Sequence, residues 1–361
     1  MFSELLKDDI KNGINGKNRG IPTGFSTIDS NINGIQKSIY TLVGGNAGTG
    51  KTSYVDLAYV LNPYKWYLAN KEETDVKIKI IYRSMERNTK YKLAKWACLK
   101  IFDDYGIIMD VPTMLGWQGK KFEITPEIED IIFDTGKYFD NMFESGFIEI
   151  LEGAENPTGI FNHVISRMKE QGTIIQVNEF VKKYVPNDPN LIVEIINDHI
   201  GKLKGESRNG VSLTSKDLLD KHSEYMGICR DFYGCSPIDI SQFNRSIGST
   251  DRMKVKSVSP EPDDFKGSGD MMENCDVALA LFNPYKFKVN DFLGYNIPKF
   301  VTPTGENRFR SISILKNSYG ADDIITGLNF LGENGNFREM PTPESFESNP
   351  QYYEKAIKFT K

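Results

Sequence analysis

Gly45-Asn46-Ala47-Gly48-Thr49-Gly50-Lys51-Thr52 is the stretch that decides how this chain is read. It matches G-x-x-x-x-G-K-[ST], the pattern of a loop that wraps phosphates, which carries weight only between a strand and a helix. Both flanks qualify. Ile39 to Val43 is a short apolar run of strand type, and Lys51 to Leu61 has helical spacing until Pro63, whose missing N–H predicts a stop. Glycines let backbone N–H groups close on phosphate oxygens, and the helix N-terminus adds partial positive charge. Lys51 is placed for the β- and γ-phosphates and the Thr52 hydroxyl for magnesium. Gly45 through Thr52, with Ser53 behind them, is therefore the expected phosphate- and Mg2+-binding segment. A tight glycine turn would explain the glycines and leave Lys51-Thr52 unexplained.

Working outward, strands and helices alternate. Val76 to Ser84 reads as a second strand, and Asn88 caps a helix through Leu93, Ala97 and Ile101. Phe147 to Leu151 is a strand; Asn156-Pro157 opens a helix through Ile160, Val164 and Met168. Leu191 to Ile196 is apolar except for Glu194 and ends in Asn197-Asp198-His199. A helix from Ser215 to Tyr233 stops at Gly234, the strand Ile238 to Ser241 follows, and then Val277 to Phe282. Ser311 to Lys316 and Ile324 to Phe330 read as a C-terminal β-hairpin. The alternation predicts an α/β fold with a mostly parallel central sheet flanked by helices. Phe2, Leu5, Leu6 and Ile10 predict a short amphipathic helix, and residues 1–19 a helix plus flexible linker. Gln171 to Asn190 reads as a loop insertion, and 106–146 as a second insertion with helical period from Ile128 to Phe143. Phe243 to Phe265 reads as a long mobile loop and 341–361 as a polar tail.

The chain has 361 residues, with 44 Lys+Arg against 49 Asp+Glu, a net charge of −5. Hydrophobic residues at 39% and aromatics at 12% suffice for a core and exclude a wholly disordered chain. No apolar run approaches the ~20 residues of a membrane span, and no signal segment opens the chain, so no membrane association and a cytoplasmic location are expected. Cys98, Cys229, Cys235 and Cys275 and the histidines lack metal-ligand spacing, which predicts small buried hydrophobes rather than zinc or disulfides.

A phosphate loop needs an acid at the tip of a neighbouring strand to hold magnesium, and Asp198 stands at such a tip. A turn or cap residue is the simpler account of an Asp there. Hydrolysis also needs a carboxylate to polarise water, and Glu86, just past the second strand, is the candidate. An acid favoured at a helix N-terminus would suit the same place.

Five segments in order carry a resemblance. They are Gly20-Ile21-Pro22-Thr23-Gly24-Phe25-Ser26-Thr27-Ile28-Asp29 before the loop; Ser84-Met85-Glu86; Asp198; Ser241-Gln242-Phe243-Asn244-Arg245; and Asp264-Phe265-Lys266-Gly267-Ser268-Gly269. Together they resemble the RecA-like ATPase domain of DnaB-type replicative helicases, over roughly residues 20–340. The resemblance implies a hexameric ring, ATP between subunits, and single-stranded DNA through the centre. It makes Glu86 the catalytic carboxylate, Asp198 the magnesium acid and Gln242 the sensor of phosphate state. It places Lys266, Gly267 and Gly269 on the DNA backbone, with Arg252, Lys254 and Lys256 in the loop before; a solvated loop is the plainer reading of those three. It sets Phe2 to Asn12 where family members carry a linker helix that docks on the adjacent subunit. The family's N-terminal primase-binding domain has no counterpart before Gly20. With a composition rich in Asn, Lys, Ile and Tyr, this suggests a phage- or plasmid-type version in a bacterial cytoplasm, with a loader or primase as a further partner.

One departure matters. The family's Lys-x-Arg, which reaches the neighbour's γ-phosphate, is here Lys316-Asn317-Ser318: the lysine stays and the arginine finger is lost. Arg308 or Arg310 on the same strand is the expected substitute. The readings are thus a DNA helicase motor, an ATP-gated single-strand clamp or scaffold with weak hydrolysis, and a strand-exchange recombinase; the Ser-Gln-Phe-Asn-Arg segment favours the first over the last.

Overall fold

The computed structural model describes residues 2–14, 18–117, 124–249, 252 and 258–359. Its strands are β1 Thr41–Gly45, β2 Lys77–Ser84, β3 Ile148–Glu152, β4 Gly172–Gln176, β5 Lys182–Pro186, β6 Leu191–Asp198, β7 Ser207–Arg208, β8 Val211–Ser212, β9 Ser236–Gln242, β10 Val277–Phe282, β11 Asp291–Phe292, β12 Tyr295–Asn296, β13 Phe309–Asn317, β14 Ile324–Leu331 and β15 Asn336–Glu339. Among the described residues nine of these form one sheet, ordered β15-β14-β13-β10-β1-β9-β6-β2-β3. From β10 to β3 every pairing is parallel, and β13, β14 and β15 add an antiparallel wing.

Parallel strands covered on both faces must be apolar on both, which is why the central strands read as unbroken runs. Side chains then sort by parity. Leu42, Ile81, Val193, Ile195, Ala278 and Ala280 enter one core cluster, whereas Val43, Ile80, Tyr82, Ile192, Ile196, Leu279 and Leu281 enter the other. The four cysteines are buried and unpaired.

Glu194 breaks the run in β6. It is fully buried, and neither carboxyl oxygen has a hydrogen-bond partner among the described residues. Burial holds its pKa well above the ordinary 4.5. A raised folded-state value means that stability present below 4.5 is lost as pH rises, because the unfolded chain ionises there and the folded one does not. Glu194→Leu is therefore expected to stabilise the chain by about 1–3 kcal/mol near pH 8 and by less near pH 5 in urea unfolding. An equal gain at both would show that the carboxyl titrates like a free one.

Several expectations change. The helix after the phosphate loop does not end at Pro63: Lys51–Asp56 passes through a π-helical turn, Leu57–Leu61, into Asn62–Asn70. In that turn the Asn62 N–H reaches Leu57 O, five residues back. This breaks the i→i−4 ladder where proline has no N–H to offer. The stretch expected as a loop, 171–190, is instead the β4–β5 hairpin, anchored by buried Tyr184, whose hydroxyl donates to Met168 O at 2.9 Å. The stretch expected as a polar tail folds into helices Pro343–Ser348 and Gln351–Lys358. Its sparse aromatics do the work: Phe346 packs on Tyr295, Phe300 and Tyr353, and Phe359 on Phe102. The ends of the 243–265 segment, expected to be mobile, are joined by a Phe243–Phe265 bridge.

Elsewhere the local signals operate as read. Asn88 and Asn156 cap their helices through side-chain oxygens, and Gly234 closes the Ser215–Tyr233 helix in the left-handed region; Thr214, outside the sequence expectations, caps that same helix. No helix among the described residues is long and apolar enough to cross a membrane.

Candidate nucleotide-binding site

The loop hangs between the C-terminal end of β1 and the N-terminus of the helix starting at Lys51. Gly48 at φ +71° and Gly50 at φ +96° take a backbone that side chains resist, and a Cβ on Gly50 would lie 2.6 Å from the Phe337 ring. Thr49 braces the turn by donating from both N–H and hydroxyl to Asn46 O. Lys51 donates to Gly45 O at 2.8 Å and Asn46 O at 3.0 Å. Burial pulls its pKa down to about 8 despite the nearby Asp198 and Glu86 carboxylates.

A cleft of about 310 Å³ opens here, lined by Lys51, Thr52, Glu86, Asp198, His199 and Gln242 among others. β1 and β6 flank β9, and β2 flanks β6, so the C-terminal ends of four strands converge on it. The Thr52 hydroxyl donates to Asp198 Oδ1 at 2.9 Å. Asp198 is buried, which alone would raise its pKa; Lys92 and the hydrogen bonds from Thr52, Lys92 and Tyr82 bring it below the ordinary carboxylate range.

Glu86 is half exposed, and its Oε2 lies 3.5 Å from His199 Nε2. Gly201 N donates to His199 Nδ1, and burial lowers the imidazole pKa, so the ring is neutral and carries its proton on Nε2, facing Glu86. Gln242 ends β9 in register with Gly45, and its carbonyl accepts from Lys266 N at 3.1 Å. One residue thus touches both the cleft and the segment of Lys266, Gly267 and Gly269, in which Gly267 at φ +77° begins the Ser268–Asn274 helix.

Other candidates are placed differently. Arg252 is turned inward, bonded to Asp264 Oδ1 at 2.6 Å and 3.3 Å from Glu261, so its charge braces its own loop. Lys254 and Lys256 lie outside the described residues. Lys316 does not join the cleft: its amine bonds Met272 O and Glu273 O at the C-terminal end of the Ser268–Asn274 helix. Lys316 pairs with Ala278 while Gly45 pairs with Leu281, so it stands roughly 10 Å down the sheet from its own loop and two strands across. The substitutes expected for the missing arginine are both engaged internally. Arg308 is gripped by both oxygens of Glu333; Arg310 is buried, its guanidinium spent on Thr49 O, Asn307 O and Phe309 O.

Sequence reasoning missed Lys286, whose amine donates to Ala47 O at 2.7 Å, and Arg310 as a brace of the loop in its own chain. Neither has a local motif; Lys286 arrives from the 3-10 turn Pro284–Phe287 after β10 and Arg310 from β13, through sheet order.

The donor set fits a nucleotide with magnesium. Among the described residues no cluster of three or more His, Cys, Asp or Glu could cage a metal by itself. Magnesium at a phosphate site needs only one or two protein oxygens, the rest coming from phosphates and water. Thr52 and Asp198 are such a pair.

Fold and site together define a P-loop α/β domain. Two solved structures share the fold across 94% of the chain, each at TM-score 0.65 and 15% identity. One is described as an ATPase domain, 99% of which is covered. The other is a DnaB-like replicative helicase, in a structure that also describes its interactions with primase, with 66% of that chain covered. No protein-family model and no curated protein matches the chain. The fold is that of the RecA-like ATPase domain of DnaB-type helicases.

Proposed function

We propose that this chain is an ATP hydrolase acting as a DnaB-type DNA helicase, a hexameric ring that translocates on single-stranded DNA in replication. The observation that carries the reading is the 2.9 Å bond from the loop hydroxyl of Thr52 to the strand-tip acid Asp198, in a cleft that also holds Glu86 and Gln242. Loop N–H groups and Lys51 bind the phosphates of ATP. Thr52 and Asp198 would hold Mg2+, which when bound neutralises charge on the β- and γ-phosphate oxygens. Glu86 orients and polarises the attacking water, with the neutral His199 ring beside it. Gln242 passes the occupancy of the cleft to Lys266, Gly267 and Gly269, which take the DNA backbone without reading sequence.

A second reading, an ATP-gated single-strand clamp with slow turnover, is favoured by Ser318 and by the internal engagement of Arg308 and Arg310. Steady-state ATP hydrolysis with and without single-stranded DNA, alongside opening of a forked duplex, separates the two. The motor reading expects DNA-stimulated turnover and strand separation. ATP binding with DNA-independent, background turnover would replace it with the clamp.

A further inference from the structure

Asp198 is held from two sides. Its Oδ1 takes the Thr52 hydroxyl, and its Oδ2 lies 3.1 Å from Lys92 Nζ and 3.1 Å from the Tyr82 hydroxyl. Lys92 also donates to the Tyr82 hydroxyl at 2.6 Å and to Asp56 Oδ1 at 3.3 Å, and the single proton of the Tyr82 hydroxyl is shared between Asp198 Oδ2 and Asp56 Oδ1, the latter at 2.8 Å. The side chains of Lys92, Asp56 and Asp198 are each at most 3% exposed. One lysine thus sits between two carboxylates at the floor of the cleft, over the faces of Tyr82 and Trp96.

A buried ion pair is a poor device for stability alone, since apolar side chains of similar size usually serve as well. What this one does is geometric. A carboxylate at a strand tip can rotate, and a lysine on Oδ2 leaves only Oδ1 for the cleft. Asp56 keeps the lysine in place; it lies one turn after Thr52 on the same helical segment, so loop and anchor move together. Lys92 lies in the first turn of the Thr89–Tyr105 helix, whose cap Asn88 follows Glu86 by two residues.

We propose that Lys92 is a positioning residue of the magnesium site: with Asp56 and Tyr82 it pins Oδ2 of Asp198 so that Oδ1 faces Thr52 and the metal. This rests on the reading of the cleft as an Mg2+–nucleotide site. It sets Lys92 apart from Lys51, which serves the phosphates directly.

The test is the affinity of a fluorescent ADP analogue, measured in EDTA and across a magnesium titration. Lys92→Met is expected to bind the analogue in EDTA within about twofold of the native chain while needing about 10–100-fold more Mg2+ for half of the metal-dependent tightening. Because the single change leaves Asp56 without its counter-charge, Asp56→Asn/Lys92→Met, which removes both charges, carries the test where the single variant does not fold. The same shift is expected of it. A folded variant that keeps the native magnesium response overturns the proposal, as does an equal loss of affinity in EDTA and in Mg2+, which would mark a merely structural lysine. If the native chain fails to bind the analogue in either condition, it is the nucleotide-site reading that falls.

Discussion

Glu86→Gln is expected to lower steady-state ATP turnover by about 10²–10⁴-fold and leave ATP affinity nearly unchanged. The amide keeps the size of the carboxylate and removes its capacity to accept a proton, so the loss falls on the chemical step. Binding survives because the phosphate contacts belong to Lys51, Thr52 and the loop, on another element. Folding survives because Glu86 is half exposed and its nearest charged-type neighbour, His199 at 3.5 Å, is neutral. The competing account, an acid that merely complements a helix dipole, fares poorly on geometry: the helix starts at Thr89 with Asn88 as its cap, leaving Glu86 outside it. That account allows a stability change of about 0.3–1 kcal/mol and no loss of turnover. Measuring turnover, nucleotide affinity and melting temperature on one preparation separates the two, and intact turnover would remove Glu86 from the mechanism.

The core of the site is legible in sequence because its parts are local. A phosphate loop is a contiguous octet, and Glu86, Asp198 and Gln242 stand at or just past the ends of strands whose apolar runs are plain. Once β1, β9, β6 and β2 are parallel neighbours, their C-terminal ends must meet, and the structure gathers the loop and all three residues in one cleft. What sequence hides is whatever depends on sheet order. Lys286, in the turn after β10, and Arg310, on β13, brace the loop from far along the chain, and no spacing rule announces them. Lys92 is an ordinary lysine in an amphipathic helix until Tyr82 and Asp56 are seen around it. The misread elements have a different cause. The β4–β5 hairpin is rich in apolar residues but leaves most of them exposed, with Tyr184 as its buried anchor, whereas the C-terminal helices are mostly polar and held by buried Phe346 and Phe359. The helices offer a periodicity argument few apolar positions, and the hairpin's apolar residues do not sort onto one buried face. Pro63 misleads for a third reason, since a π-helical turn lets a helix carry a proline that the ordinary ladder would reject.

The placement of Lys316 makes a prediction about assembly. Its amine bonds the end of the Ser268–Asn274 helix, down the sheet from its own loop, and so is turned away from that loop. In a ring of head-to-tail contacts the two surfaces of each subunit differ, and a residue remote from its own site can complete the neighbour's. Lys316→Ala is therefore expected to cost about 10²–10³-fold in turnover, the range for removing one donor from a developing negative charge. Lys51→Ala should be inactive for the separate reason that it fails on phosphate. Mixed in equal amounts before assembly, the two inactive chains should recover roughly a quarter of native turnover, because one contact in four then pairs an intact Lys51 with an intact Lys316 across the interface. If Lys316 acted within its own chain, or only held the Ser268–Asn274 helix, no such contact would be restored and the mixture would stay as inactive as its components. Recovery also bears on Ser318: a ring that hydrolyses ATP through Lys316 alone needs no arginine from Arg308 or Arg310, both of which are already committed inside the subunit.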